Sequence, residues 1–361
     1  LNKTLIYMAK KDFSFADINS ELKTLNPMGS IMADSTFSEV TEWIDTGNYH
    51  LNACVSGSLF GGWPNSRTCS IAGPSGTGKT FLVLNSVKRA IDMGYNVIYY
   101  DSEAAVDKDQ MEKFGIDVTK VNYQPINTVQ EFRTSVTTLT SKMQEVKRNG
   151  GKTPKIMMIL DSAGNLATQK EIDDAKTGSS KADMTRAKLL KSTFRIIMTQ
   201  FGICKIPFLF TNHTYQTQDL FSRQVGGGGT GPEYAASIIL FLGIAKLKEG
   251  IEQTGIIVTA KPNKNRFAKP TNIKFHISFN KGMNPYIGLE ERSHRAELKE
   301  LLDIDPVRIE WCAAFVNAVL DESGIPSNSD HTYPYLARSF LEWGVAVDKP
   351  KSGDLVIFPR G

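Results

Sequence analysis

The stretch TCSIAGPSGTGKT, residues 68–80, decides the fold. A short apolar run stops at Gly73, and the eight residues that follow from there satisfy the pattern G-x-x-x-x-G-K-[ST]. The helix-compatible TFLVLNSVKRAIDMG comes next, so the glycines sit where a strand turns into a helix. In that context Gly73, Pro74, Ser75, Gly76, Thr77, Gly78, Lys79 and Thr80 form a phosphate cradle. The glycines let backbone N–H groups crowd around a phosphate chain, Lys79 reaches its outer phosphates, and the Thr80 hydroxyl faces Mg²⁺. The implied ligand is ATP or another nucleoside triphosphate.

Outward from this loop, apolar runs alternate with helical stretches. NVIYYD (96–101), KIMMILD (155–161), IPFLFTNH (206–213), SIILFLG (237–243) and TGIIVTAK (254–261) read as further strands. Such alternation predicts an α/β fold with a mostly parallel central sheet flanked by helices. ADMTRAKLLKSTFRIIMTQFG is amphipathic, with Leu190, Phe194 and Ile197 on one face and Arg186 and Lys188 on another. Asp161, ending a wholly apolar run, is the candidate second member of the Mg²⁺ shell beside Thr80. Glu103, at the end of the strand after the loop's helix, is the candidate base that activates water.

The chain has 361 residues, 41% of them hydrophobic, enough for one large domain and a smaller one. Its 42 basic and 38 acidic residues give a net charge of +4, which permits nucleic acid as a partner and requires any basic surface to be local. Cys54, Cys69, Cys204 and Cys312 are too widely spaced for a zinc site or a disulfide framework and point to a reducing cytosol. No apolar run approaches the roughly 20 residues of a membrane helix. Met8 reads as the natural start, with residues 1–7 a lead-in.

The ordered series GPSGTGKT, VIYYDSEAAVDKDQMEKFGID, ILDSAGNLATQKEIDDA, DMTRAKLLKSTFRII, FTNHTYQTQDLFSRQVGGGGTGPEY and KPNKNRFAKP resembles the RecA-type recombinases, their phage UvsX branch more than the bacterial one. The resemblance covers about residues 27–290. It implies that Glu103 is the catalytic glutamate, that Asp107 lies near the adenine, and that His213 senses the γ-phosphate. It makes TQKEIDDAKTGSSKAD and YQTQDLFSRQVGGGGTGPEY the two DNA-binding loops. In the second, Phe221 offers a stacking face and Arg223 a cation, while Gly226, Gly227, Gly228 and Gly229 cannot pack a core. Lys264 and Arg266 would reach the nucleotide of a neighbouring subunit, so that full activity requires a filament. The expected function is an ATP- and Mg²⁺-dependent, phage-encoded recombinase in the host cytoplasm. It would form a helical filament on single-stranded DNA, pair it with double-stranded DNA, and work with single-strand-binding and mediator proteins. The alternatives are a ring helicase with the same core and a cell-wall peptidase.

The peptidase alternative comes from IEWCAAFVNAVLDESGI and LARSFLEWGVAVDKPKSGDLVIFPRG, which resemble NlpC-like and CHAP-type cysteine peptidases. Cys312 holds the nucleophile position at a helix start. The family's histidine follows the GDLVIF strand, where this sequence ends, and neither His294 nor His331 matches it. Cys312 is therefore expected to be catalytically silent. The expected organisation is an N-terminal lead-in and helical oligomerisation region (1–46), a core (47–290), a linker (291–302) and a truncated peptidase-like segment (303–361).

Overall fold

The structure is a computed structural model that describes residues 13–26, 29–35, 39–178, 185–216, 224–226 and 230–283. The chain divides into two compact units, residues 1–40 and 41–361. The described part of the first holds helix α1 (Phe15–Leu25), opened by a capping box in which Ser14 and Asp17 satisfy each other's backbone N–H groups. A 3₁₀ turn follows at Met32–Asp34.

The second unit begins with β1 (Trp43–Ile44), α2 (Tyr49–Ser56) and β2 (Trp63–Pro64), with β1 and β2 paired antiparallel. Then come β3 (Thr68–Ala72), α3 (Lys79–Asp92), β4 (Asn96–Asp101), α4 (Lys108–Lys113), β5 (Val121–Pro125), α5 (Val129–Arg148), β6 (Ile156–Asp161), α6 (Gln169–Lys176), α7 (Arg186–Cys204) and β7 (Phe208–Asn212). The short strands β8 (Thr214–Gln216) and β9 (Gln224–Gly226) pair with each other. After α8 (Thr230–Ala235), the strands β10 (Ile238–Glu249), β11 (Glu252–Asn265), β12 (Ile273–Ser278) and β13 (Gly282–Met283) complete the described chain.

Nine strands form one sheet in the order β13-β12-β11-β10-β3-β7-β6-β4-β5. From β10 to β5 every pairing is parallel, and from β10 to β13 every pairing is antiparallel. This is the α/β architecture expected from the sequence. Strands β3, β6 and β7 are buried along their whole length, as expected of mainly apolar strands in the interior of a parallel sheet covered on both faces.

Alternation along each strand builds two cores. One face carries Tyr99, Ile159 and Leu209 toward α3, where Trp63 is also buried and donates through Nε1 to Ser86 Oγ at 2.8 Å. The other carries Tyr100, Leu160, Phe208 and Phe210 toward α5 and α7. There Phe208 stacks on Phe132 at 5.9 Å and meets Phe201 at 4.9 Å. Leu190, Phe194 and Ile197 are the buried face of α7, as its sequence pattern predicts.

One stretch departs from expectation. The segment after Asp161, which lacks apolar periodicity and reads as a loop, contains the helix α6. Its start is a capping box between Thr168 and Glu171, a local signal independent of burial.

Candidate functional site

Parallel strands bring their carboxyl ends to one edge of the sheet, and the predicted residues meet there. Between β3 and α3 the loop closes tightly. A Cβ on Gly73 would lie 2.8 Å from Thr77 Oγ1 and 2.9 Å from the Leu242 carbonyl oxygen, so a larger residue would push the loop open. Gly78 caps α3 with φ 84°, and no side chain bonds the helix's first N–H groups. Those donors and the helix dipole make an anion site.

Lys79 is buried, and its ammonium donates to the carbonyl oxygens of Gly73 and Pro74, both at 2.9 Å. Burial pushes its pKa below the usual lysine value, against the opposing pull of Glu103 and Asp161. Thr80 Oγ1 donates to Asp161 Oδ2 at 2.9 Å, which brings the two candidate Mg²⁺ groups together. Tyr99 OH also donates to Asp161 Oδ2 at 2.9 Å, and Thr211 Oγ1 donates to Oδ1. Hydroxyls from α3, β4 and β7 thus converge on one buried carboxylate and satisfy its oxygens. Gly73 N–H donates to Asn212 O at 3.1 Å, linking the loop to β7.

Glu103 sits on a turn organised by Asp101. The Asp101 carboxylate accepts the N–H groups of Glu103 (2.8 Å) and Ala105 (3.0 Å) and the hydroxyl of Tyr123 (3.0 Å). It holds Ala104 at φ 52°, in the left-handed region. Strand register sets Asp101 beside Asp161. The loops beyond them are stitched together: Ser102 Oγ donates to Ser162 O at 2.8 Å and accepts from Ser162 N–H at 2.9 Å. Glu103 Oε1 accepts from Ser162 Oγ and lies 2.9 Å from His213 Nε2. Burial raises the Glu103 pKa, but hydrogen bonds from Ser162 and His213 outweigh it and leave the carboxyl below its usual range. The result is an ionised carboxylate facing Lys79 across the loop, an arrangement suited to polarising water beside a phosphate.

The other predicted residues fall elsewhere. Asp107 caps α4, accepting from Gln110 N–H at 2.8 Å, and lines a cavity of about 330 Å³ with Met111 and Tyr123. Lys264 and Arg266 lie toward the opposite edge. Asn265 pairs with Ile238, and Ile238 with Cys69, so both cations are level with the beginning of β3 and away from the loop at its end. Lys264 Nζ donates to Tyr234 O at 3.1 Å, and burial together with the nearby Arg266 charge lowers the Arg67 pKa. Pairing of β8 and β9 sets Gly226 opposite Thr214, one residue past His213. Phe221, Arg223, Gly227, Gly228, Gly229 and Cys312 lie outside the described residues. Cys54, Cys69 and Cys204 are buried, and burial pushes the Cys54 thiol up to about 12.

Sequence reasoning missed Tyr99, Asp101, Ser162 and Thr211. Asp101 carries the same signal as Asp161, an acid closing an apolar run. The hydroxyl partners matter only through the register between strands, which no single segment reveals.

The RecA N-terminal domain family matches residues 17–284. Over 242 residues the chain is 33% identical to the recombination and repair protein of Enterobacteria phage T4, covering 66% of this chain and 60% of that protein. It is 28% identical to the RecA protein of Streptomyces venezuelae over 263 residues, covering 72% of this chain and 65% of that one. The chain thus spans less than two thirds of either relative.

Proposed function

The chain belongs to the RecA family, and from that premise we propose that it is a DNA-dependent ATPase acting as a phage recombinase. The observation that carries this proposal is the convergence at one sheet edge of Lys79, the Thr80–Asp161 pair and the Ser162–Glu103–His213 chain. The loop and the Gly78-capped helix fit a polyphosphate, and the hydroxyl–carboxylate pair fits the hydration shell of a small divalent cation. When bound, ATP with Mg²⁺ supplies the phosphoanhydride bond to be broken and the counter-charge for it.

Each protein group then has a task. Gly73 to Gly78 direct backbone N–H groups at the phosphates. Lys79 exchanges the Gly73 and Pro74 carbonyls for phosphate oxygens and neutralises charge developing there. Thr80 and Asp161 hold the metal's shell. Glu103, kept ionised by Ser162, takes the proton of the attacking water. His213 bridges Glu103 and the strand leading into the second loop, so the state of the nucleotide site reaches Phe221, Arg223 and the run Gly226 to Gly229, which grip single-stranded DNA. Asp107 lies by the base. Lys264 and Arg266 serve the next subunit of a helical filament, consistent with their distance from their own loop. Single- and double-stranded DNA are the substrates, single-strand-binding and mediator proteins the accessory partners, and the host cytoplasm the setting. Cys312 takes no part.

ATP hydrolysis with and without single-stranded DNA tests this. DNA stimulates the wild-type rate, and Lys79→Ala lowers it at least about a hundredfold. Absence of stimulation, or a variant as active as its parent, overturns the proposal.

A further inference from the structure

We propose that Tyr99 and Thr211 are positioning residues that fix the Asp161 carboxylate so that the nucleotide site takes Mg²⁺ in preference to Ca²⁺. This deepens the reading above and rests on the metal role given there to Asp161. Tyr99 OH and Thr80 Oγ1 each donate to Asp161 Oδ2 at 2.9 Å, and Thr211 Oγ1 donates to Oδ1. A carboxylate offers about four acceptor positions, two on each oxygen. The hydroxyls of the described residues therefore fill Oδ2 and half of Oδ1, and one position on Oδ1 stays open.

The donors are locked in place. Tyr99 and Thr211 are both fully buried. The Tyr99 ring packs in the core that faces α3 and stacks on Tyr123, its register partner on β5, with centroids 6.5 Å apart and planes at 22°. Tyr123 OH donates in turn to Asp101 Oδ2 at 3.0 Å, so each tyrosine holds the carboxylate that ends the neighbouring strand. Phenylalanine has the same ring, so packing at position 99 does not call for the hydroxyl, whereas the carboxylate does. This arrangement discriminates between cations. Mg²⁺ keeps several of its waters and uses one or two carboxylates beside the phosphates, which suits a carboxylate with one open position. Ca²⁺ gathers about six to eight oxygens and profits from a carboxylate that gives it both. Hydroxyls seated on both Asp161 oxygens withhold that bidentate grip.

The test titrates Mg²⁺ or Ca²⁺ into the full chain with a slowly hydrolysed fluorescent ATP analogue and reads nucleotide binding, a signal independent of turnover. In Tyr99→Phe and in Thr211→Val the Mg²⁺ concentration for half-maximal binding rises about tenfold, the low end of what losing a partner behind a metal ligand costs. The Ca²⁺ value rises by less than about threefold or falls, so the preference for Mg²⁺ narrows. Thr211→Ser keeps the hydroxyl and stays within about twofold of the wild type. Unchanged Mg²⁺ dependence in both hydroxyl-free variants, or a serine variant that behaves like the valine one, overturns the proposal. So does an equal loss for both cations, since the hydroxyls would then support the fold alone. Wild-type nucleotide binding indifferent to both cations overturns the proposal together with the metal role of Asp161. Metal-dependent nucleotide binding without DNA stimulation of hydrolysis strikes the recombinase reading instead.

Discussion

The parallel and antiparallel parts of the sheet share one hydrogen-bonded surface but divide the work differently. In the parallel part, strands buried on both faces leave their carboxyl ends as the place for polar residues, and Asp101, Asp161 and Asn212 all occupy such ends. In the antiparallel part, β12 alternates between buried and more exposed positions, β11 is buried only at Gly255, Val258 and Ala260, and Lys264 and Arg266 lie toward the other edge. One part brings its polar residues together at a single edge, while the other sets Lys264 and Arg266 level with the beginning of β3, away from that edge.

Replacing Glu103 by Gln should break the parallel part most severely. Hydrolysis falls by about a thousandfold while nucleotide binding persists, because the side chain keeps its size and loses only its basicity; single-turnover kinetics and nucleotide titration separate the two. Phe208→Ala, at the centre of the aromatic cluster, costs about 3–5 kcal/mol in denaturant unfolding. Ile251→Ala, at a position 99% exposed on the antiparallel hairpin, changes stability by no more than about 0.5 kcal/mol.

Arg266→Ala lowers hydrolysis about a hundredfold by removing one charge stabiliser. Mixing it with Lys79→Ala restores up to about a quarter of wild-type activity, because random neighbours pair an intact loop with an intact cation that often in a head-to-tail assembly. No recovery on mixing would mean that both residues act within one subunit.

Among the effects on activity, the smallest concerns pH. Glu103 is held below the ordinary glutamate value of 4.5, so it remains a base as pH drops through the usual carboxylate range and fails only below it. Ser162→Ala removes a hydrogen bond that lowers this pKa, and the acid limb of the rate profile moves to higher pH with little change near neutrality.

The same division explains what the sequence made legible. Strands β3, β4, β6 and β7 announce themselves as apolar runs because both faces are covered. The edge strand β5, VNYQP, has no fully buried residue and no run to detect. Strand β12, IKFHIS, does alternate, with Ile273, Phe275 and Ile277 buried, but it is short and follows a Lys- and Pro-rich stretch. At the site, Lys79, Thr80 and Asp161 stand in a spaced motif or at a strand end. The hydroxyls of Tyr99, Thr211 and Ser162 acquire their roles only when separate strands are laid side by side.

Strand β10 belongs to both parts. Its first four residues pair with β3 on one side and β11 on the other, while beyond Phe241 its paired neighbour among the described residues is β11 alone. Mechanically it is a cantilever clamped at one end, and the clamp ends where the Leu242 carbonyl crowds Gly73. Force applied to the free hairpin is therefore delivered to the first residue of the phosphate loop.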